Sequence, residues 1–309
     1  MKNGREIVYY RYKIKRIEKI SYEIEKVRGS LFIVPTPIGN LADITLRALD
    51  VLNEVDIILC EDTRHSYKIL QYLKEGKKII SYHKFNERKK LNEIINYLKQ
   101  GENIALISDA GTPGISDPGY ILIKEAISND IKIEAIPGPS AIINALVLSG
   151  FNTTPFIFAG YLPRKSKERI ALLSKYKNFD GTIIFFESPK RVINSLKDID
   201  KIYAENQMSL IREMTKIHQE ILRGKVIEIL NILNKRKIKG EITILIDNSL
   251  QGYSSKIDSE NFNKDELINE YKKLIINGLS KDEALKILSQ MTGLGKKLIY
   301  RAIFIEKKS

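Results

Sequence analysis

Short apolar runs alternate with amphipathic stretches from residue 30 to residue 149. Residues 31–34 and 104–107 are continuous apolar runs, which are typical of strands buried on both faces of a sheet. In residues 91–98 the apolar positions recur every three or four residues, which predicts a helix with one buried face. Strands that alternate with helices indicate a parallel sheet. We therefore predict an N-terminal α/β domain over residues 30–149.

The pattern changes after residue 149. Apolar runs near residues 156–163, 182–186, 208–212, 220–222 and 241–246 predict the strands of a second α/β domain over residues 150–247. Residues 248–263 are polar and rich in Ser and Asn, so we predict a linker there. Residues 264–309 have the spacing of three short helices, a helical C-terminal module. Residues 1–29 form a basic N-terminal extension.

The loop after the apolar run at residues 104–107 contains glycine, proline and several hydroxyl residues. It ends in Asp117-Pro118, which predicts a helix N-cap followed by proline in the first turn. Open α/β sheets bind ligands at the carboxyl ends of their strands. The loops at residues 35–40, 61–65, 109–117 and 137–140 should therefore converge on one small-molecule crevice, although an ordinary strand-to-helix turn remains an alternative for the loop at 109–117.

Charge points to a polyanionic partner. The net charge is +13, which favours nucleic acid, unless it only reflects a composition rich in Lys, Ile and Asn. The single cysteine, Cys60, excludes an internal disulfide framework. No apolar run reaches the length of a membrane span and the N-terminus lacks a signal-peptide pattern, so we predict a cytoplasmic protein and no membrane partner.

Three common site types lack their motifs. No Gly-x-Gly-x-x-Gly follows the first strand and no Gly-x-x-x-x-Gly-Lys-Ser/Thr occurs, so dinucleotide-binding and phosphate-cradling loops are not expected. No Cys/His cluster has zinc spacing, and we predict no metal.

Five segments stand in the order and spacing of a known family: VPTPIGNLADIT at residues 34–45, EDTRH at 61–65, SDAGTP at 108–113, PGPSA at 137–141 and KGE at 239–241. Together they resemble the tetrapyrrole-methylase-like (class III) methyltransferases, and among these the enzymes that modify small-subunit ribosomal RNA. The resemblance covers about residues 30–247. It implies an α/β, two-domain tetrapyrrole methylase-like fold with a mainly parallel N-terminal sheet, a mixed second sheet and a small helical C-terminal module.

The resemblance also implies an activity. It implies a homodimeric enzyme that uses S-adenosylmethionine to methylate the 2′-hydroxyl of a cytidine in the decoding region of 16S ribosomal RNA. Glycine-rich loops can offer backbone N–H groups to the carboxylate of that cofactor. Two alternatives stay open: a methylase of the same fold acting on a tetrapyrrole or another small molecule, and a non-enzymatic RNA-binding protein.

Site residues follow in three groups. Cofactor contacts carried over by motif are Pro37, Asp109, Ala110, Gly111, Thr112, Pro113, Gly138, Pro139 and Ser140, with Gly160 and Gly240 from the second domain. Candidates for a general base, at strand ends facing the crevice, are Glu61, Asp62 and His83, although Asp62 and Arg64 could instead form an ion pair that fixes the loop.

Predicted RNA contacts come from basic clusters: Arg64, Arg164, Lys165, Lys167, Arg169, Lys190, Arg191, Lys296, Lys297 and Arg301. Tyr82, Phe85 and Tyr161 are candidates for stacking on an unpaired base.

Overall fold

The protein was analysed as a computed structural model that describes residues 29–71, 73, 76–249, 264–292 and 294–304. The predicted basic extension, apart from Gly29, and the predicted linker beyond residue 249 lie outside the described residues.

The first sheet has five short strands, all parallel. They are β1 (Ser30–Ile33), β2 (Ile57–Cys60), β3 (Lys78–Ser81), β4 (Ile104–Leu106) and β5 (Lys132–Ala135), in the order β3-β2-β4-β1-β5. Helices α1 (Leu46–Glu54), α2 (Thr63–Leu70), α3 (Glu87–Lys99), α4 (Tyr120–Ser128) and α5 (Ala141–Ser149) alternate with them. Apolar side chains such as Leu31, Leu59 and Ile104 are completely buried. The predicted parallel sheet is confirmed.

The second sheet is mixed and its strands are longer. Its strands are β6 (Phe156–Tyr161), β7 (Thr182–Glu187), β8 (Gln207–Arg212), β9 (Glu220–Lys225) and β10 (Ile242–Asp247), in the order β6-β7-β10-β8-β9. Only β6 and β7 pair in parallel; the other neighbours are antiparallel. Helices α6 (Ser166–Lys175), α7 (Val192–Tyr203) and α8 (Val226–Leu233) supply apolar side chains to its core. The predicted mixed sheet is confirmed.

Helix α5 joins the two sheets. Ile142, Ala145 and Leu146 of this helix share one buried apolar cluster with Ile184 of β7 and Leu245 of β10. The C-terminal end of α5 is fixed as well, because the Arg223 guanidinium of β9 donates hydrogen bonds to the carbonyl groups of residues 148 and 149. The loop before α5 is therefore held between the sheets.

Helices α9 (Lys264–Ile276), α10 (Lys281–Thr292) and α11 (Lys296–Phe304) pack around an apolar cluster of their own. Ser280 and Glu283 cap α10 reciprocally: the Glu283 carboxylate accepts from the Ser280 N–H at 2.9 Å, and the Ser280 hydroxyl accepts from the Glu283 N–H at 3.4 Å. Within the described chain, no helix combines the length and the hydropathy needed to cross a bilayer.

Candidate active site

A cleft of about 580 Å³ lies where loops of the first sheet meet strand ends and loops of the second. The first side, here called the loop wall, is lined by Ile38, Glu61, Asp109, Ala110, Gly111, Thr112, Ile115, Ser116, Asp117, Ser140, Ala141 and Ile142. The second side, here called the ion-pair wall, is lined by Tyr161, Phe186, Glu187, Ser188, Pro189, Glu213, Lys216, Gly240, Glu241, Ile242 and Thr243. The predicted convergence of the strand-end loops on one crevice is confirmed.

The loop wall is held by backbone hydrogen bonds around Gly111. The Thr36 N–H donates to the Gly111 carbonyl at 2.9 Å, and the Gly111 N–H donates to the Thr36 carbonyl at 3.0 Å. The Thr36 hydroxyl, which is buried, donates to the Ser108 carbonyl at 2.9 Å. Gly111 has φ +77°, a conformation that glycine adopts without strain. Its N–H is already bonded, so at this glycine the expectation of an N–H offered to a ligand is wrong; the missing side chain leaves space in the cleft instead.

The predicted cofactor residues divide into two sets. Six line the cleft: Asp109, Ala110, Gly111, Thr112, Ser140 and Gly240. Pro37, Pro113, Gly138, Pro139 and Gly160 lie in the same loops or strands but are not among the lining residues. Two of these show a supporting role: a Cβ added to Gly138 would lie 2.7 Å from the Cβ of Pro35, and the Pro139 carbonyl accepts from the Thr112 hydroxyl at 3.4 Å.

The three candidate bases are not equivalent. Glu61 lines the cleft. Asp62 is outside the lining and forms a two-point ion pair with Arg64, at 3.2 Å to Nε and 2.9 Å to Nη2, which is the loop-fixing alternative. His83, also outside the lining, is in the turn after β3, where its Nδ1 accepts from the Phe85 N–H at 3.2 Å.

Asp117 is a site residue that the sequence reasoning misassigned. It was expected to cap α4, but α4 begins at Tyr120 with Gly119 at the N-cap, and the Asp117 carboxylate lines the cleft instead. Ser116, just before it, has φ +67°, an unfavourable value for a residue with a side chain. Neither the displaced cap nor the backbone conformation has a signal in the sequence.

Carboxylates on the loop wall have raised pKa values. Burial raises the pKa of Asp117 to about 6, and the nearby charges of Glu61 and Asp109 add to the effect, while a hydrogen bond with Ser108 opposes it. Burial and the charge of Asp109 also raise the pKa of Glu61, with His83 acting in the opposite direction. This wall therefore favours a cationic ligand, which would relieve the repulsion among its carboxylates.

On the ion-pair wall the carboxylate of Glu213 instead has a lowered pKa. Lys216 Nζ lies 2.9 Å from Glu213 Oε1 and 3.1 Å from Glu241 Oε2. Burial alone would raise the pKa of Glu213, but the hydrogen bonds from Lys216 and from the Glu241 N–H hold it below its usual value. Gly240 has φ +88°, and a Cβ there would lie 2.3 Å from the Glu213 carboxylate, so this position requires glycine. The sequence does not mark Glu213 and Lys216 because their shared partner, Glu241, lies 28 and 25 residues away.

Glu187 is a buried carboxylate with several donors. Its carboxylate accepts hydrogen bonds from the Ser188 N–H at 2.6 Å, from the Arg191 guanidinium at 2.6 Å and from the Ser195 hydroxyl. Arg191 also donates to the Leu162 carbonyl, at 3.3 Å. Arg191 is therefore largely occupied within the protein, although it was predicted to contact RNA.

Most of the predicted RNA-contacting side chains are exposed, and these are Arg64, Arg164, Lys165, Lys167, Lys190, Lys296 and Arg301. The side chain of Lys297 lies outside the described part of the structure. Arg169 is wrong as an RNA contact: it is only 3% exposed and bonds to Asp198 through Nε at 2.9 Å and to the Pro163 carbonyl at 2.9 Å. Tyr82, at 1% exposed, is wrong as a stacking residue for the same reason.

Among the residues that the structure describes, no group of three or more His, Cys, Asp or Glu side chains is placed to hold a metal ion.

A protein family and several solved structures match this chain. The family model for Tetrapyrrole (Corrin/Porphyrin) Methylases matches residues 30–230. Solved structures with the same fold include diphthine synthase, with a TM-score of 0.58 and 14% identity over 71% of this chain and 89% of that one. Another is cobalt precorrin-4 methyltransferase, with a TM-score of 0.52 and 17% identity over 70% of this chain and 94% of that one. Fold and family match define an S-adenosylmethionine-dependent methyltransferase of the tetrapyrrole methylase class.

Sequence relatives narrow the class. A protein from Thermotoga maritima named Ribosomal RNA small subunit methyltransferase I is 47% identical over 71% of this chain and 98% of its own length. A protein of the same name from Streptococcus pyogenes is 37% identical over 91% of this chain and 96% of its own. The chain belongs to the ribosomal RNA small subunit methyltransferase I family. This membership argues against the non-enzymatic alternative.

Proposed function

We propose that the protein transfers a methyl group from S-adenosylmethionine to the 2′-hydroxyl of a cytidine in the decoding region of 16S ribosomal RNA. The observation that carries the proposal is the 47% identity to a small-subunit rRNA methyltransferase, which extends over 98% of that relative and 71% of this chain. The net charge of +13 supports an RNA substrate over a small tetrapyrrole, which needs no broad basic surface.

The cleft has the chemistry that this cofactor requires. S-adenosylmethionine carries a methyl group on a sulfonium, together with an ammonium, a carboxylate and an adenine. Asp109, Glu61 and Asp117 place negative charge on the loop wall for the cationic groups. Ile38, Ile142 and Phe186 offer apolar surface to the adenine. The volume of the cleft, about 580 Å³, is within the ordinary range for small-molecule sites.

Holding the acceptor is the main catalytic task of the chain. The ribose oxygen must stand in line behind the methyl carbon, so positioning accounts for much of the rate. When bound, S-adenosylmethionine would supply the methyl group from its sulfonium, and a cleft carboxylate would accept the hydroxyl proton of the ribose. We assign this proton to Asp117, since its pKa of about 6 makes it a stronger base than an ordinary carboxylate. Glu61 and Asp109 act on Asp117 through their charges.

The RNA surface is inferred from the exposed basic residues. Arg164, Lys165 and Lys167 stand at the start of α6, next to Tyr161 at the mouth of the cleft. Lys190 follows the cleft residues 186–189, and Lys296 and Arg301 are exposed basic residues of α11.

We also infer a cytoplasmic homodimer with the domain boundaries predicted above. Ile143 and Val147, one turn apart on α5, are 48% and 68% exposed, which suits a surface covered by a second copy. Strands β1 to β5 fall within residues 30–149 and β6 to β10 within residues 150–247. Light scattering on the purified protein measures the oligomeric state directly, and a monomer at micromolar concentration would contradict this inference.

The activity is tested by incubating the protein with labelled S-adenosylmethionine and small ribosomal subunits that lack the modification. Label should enter the 16S RNA, and mass spectrometry of RNA fragments should place it on a cytidine ribose. If no label enters RNA under conditions in which a known enzyme of this type works, the proposed function is wrong. Label on a base rather than a ribose would retain the enzyme class and overturn the 2′-hydroxyl assignment.

A further inference from the structure

Phe85 is 91% exposed, more than any other aromatic side chain that the structure describes. A single exposed apolar residue is common on protein surfaces and needs no partner. Phe85 differs from an ordinary surface residue in three respects: the turn that carries it, the hydrogen bonds that fix this turn, and the charges around it.

The turn, residues 81–87, is fixed by its own hydrogen bonds. The Asn86 side chain accepts from the His83 N–H at 2.8 Å and donates to the Ser81 carbonyl at 3.0 Å. The His83 carbonyl accepts from the N–H groups of residues 86 and 87, each at 2.9 Å. The His83 ring contacts the Phe85 ring edge to face, with centroids 6.1 Å apart. The turn therefore holds Phe85 exposed before any partner binds, so binding costs little conformational entropy at this residue.

This turn is attached to the edge of the catalytic cleft. It follows β3, the strand next to β2, and the Tyr82 N–H donates to the Cys60 carbonyl at 2.7 Å. The Ser81 hydroxyl donates to the carbonyl of Glu61 at 3.4 Å, and Glu61 lines the cleft. The turn that carries Phe85 thus adjoins Glu61 of the loop wall.

The surface around Phe85 is basic. Lys84 in the turn and Arg88 and Lys89 at the start of α3 are exposed, and Glu87 is the one acidic residue among them. An exposed aromatic ring surrounded by cations is suited to single-stranded nucleic acid, in which the base stacks on the ring and the phosphates meet the cations. An apolar protein partner would not require these three charges.

We propose that Phe85 stacks on an unpaired base of the RNA substrate, next to the nucleotide that receives the methyl group, while Lys84, Arg88 and Lys89 contact the adjoining phosphates. The inference rests on the proposed function and deepens it, because it makes an unpaired base beside the target a condition for efficient methylation. In this arrangement His83 is a positioning residue that supports the Phe85 ring.

The test compares Phe85→Ala, Phe85→Leu and Phe85→Tyr with the wild type, on small ribosomal subunits that lack the modification. Ile127→Ala is the matched control, since Ile127 is 63% exposed on α4 and is not a lining residue of the cleft. Phe85→Ala and Phe85→Leu should raise the KM for the subunit about 10- to 100-fold. Phe85→Tyr and Ile127→Ala should keep it near the wild-type value, and the Kd for S-adenosylmethionine should be unchanged in all four variants.

Three results would overturn the inference. An unchanged KM in Phe85→Ala shows that no base stacks there. A wild-type KM in Phe85→Leu shows an apolar contact without stacking. Loss of an oligomer in Phe85→Ala, seen by light scattering, assigns the ring to a protein interface. A wild type that does not methylate RNA at all would instead refute the proposed function, so the two failures are distinguishable.

Discussion

The two walls of the cleft are built by different interactions. The loop wall depends on backbone pairing, above all between Thr36 and Gly111, and its carboxylates at Glu61 and Asp117 have raised pKa values. The ion-pair wall depends on charged side chains, and contact with Lys216 holds the pKa of Glu213 low. Carboxylates thus have two roles in this cleft. On the loop wall they can bind a cation or accept a proton, and on the ion-pair wall they stabilise the structure.

The same contrast extends into the core below each wall. The parallel sheet is stabilised by apolar burial along three- and four-residue strands. The mixed sheet region adds a buried ion pair, in which the side chains of Arg169 and Asp198 are 4% and 5% exposed. This difference between the two regions predicts which substitutions destabilise the protein and which only weaken ligand binding in the cleft.

The largest expected effect is on stability, in Arg169→Ala. Removing the guanidinium leaves Asp198 buried with only Lys201 and the Ser166 side chain as partners, so the free energy of unfolding should fall by about 3 kcal/mol. Urea unfolding measures it. Arg164→Ala, an exposed neighbour, should change stability by less than about 0.5 kcal/mol. Equal effects for the two arginines would show that the buried pair does not hold this region together.

On the loop wall, Gly111→Val should abolish cofactor binding while the protein stays folded. Its branched side chain would occupy the cleft beside Ile38, and we expect the Kd for S-adenosylmethionine to rise at least about 100-fold, or about 2.7 kcal/mol. Calorimetry measures the affinity.

Gly101→Val is the matched control for this strain. Gly101 has φ +96°, and nothing lies within 4 Å of an added Cβ. Valine at this position should therefore introduce a similar backbone strain of about 1–2 kcal/mol, away from the cleft. Loss of cofactor affinity in both variants would mean that Gly111→Val acts through folding and not through the cleft.

Asp117→Asn should stabilise the protein and slow the reaction. The pKa of Asp117 is about 6 in the fold against 3.8 ordinarily, so the folded state keeps the proton over that interval. The contribution of Asp117 to stability is therefore fully present below about pH 4 and is lost as pH rises through 6, because ionisation is harder in the fold. Asn removes this cost, and we expect the variant to be about 1–2 kcal/mol more stable at pH 7.5 but not at pH 4.

The activity of the same variant gives an independent measurement. Wild-type turnover should fall as pH is lowered through about 6, since protonated Asp117 cannot accept the hydroxyl proton. Asp117→Asn should be slow at every pH and lose this limb of the profile. A variant with wild-type turnover and an unchanged acid limb would transfer the role to another group, with Glu61 the first to examine.

The smallest effect is expected at the C-terminal helix, far from both walls in sequence. Replacing Lys296, Lys297 and Arg301 by Ala should weaken RNA binding modestly and reduce the steepness of its salt dependence. Binding measured between low and physiological salt gives the slope. An unaltered slope would remove α11 from the RNA surface and leave the task to α6 and the Phe85 turn.

How far the sequence predicts the site follows from how each wall is built. Gly111 and Ser140 were identifiable because a loop after an apolar strand is a local pattern, and the parallel sheet brings such loops to one edge. Glu213 lies 28 residues from Glu241, and Arg169 lies 29 from Asp198, so no local pattern marks either contact. Asp117 was misassigned since an Asp-Pro pair is a common helix start, and only the three-dimensional position of α4 excludes it.

A crystal structure of the protein with S-adenosylmethionine is the most direct test of the two-wall assignment. We predict that the sulfonium lies on the loop-wall side, nearer to the carboxylates of Glu61, Asp109 and Asp117 than to Lys216, with the cofactor passing over the bare backbone of Gly111. Cofactor bound outside the cleft, or with its sulfonium against the ion pairs of Lys216, would contradict the assignment.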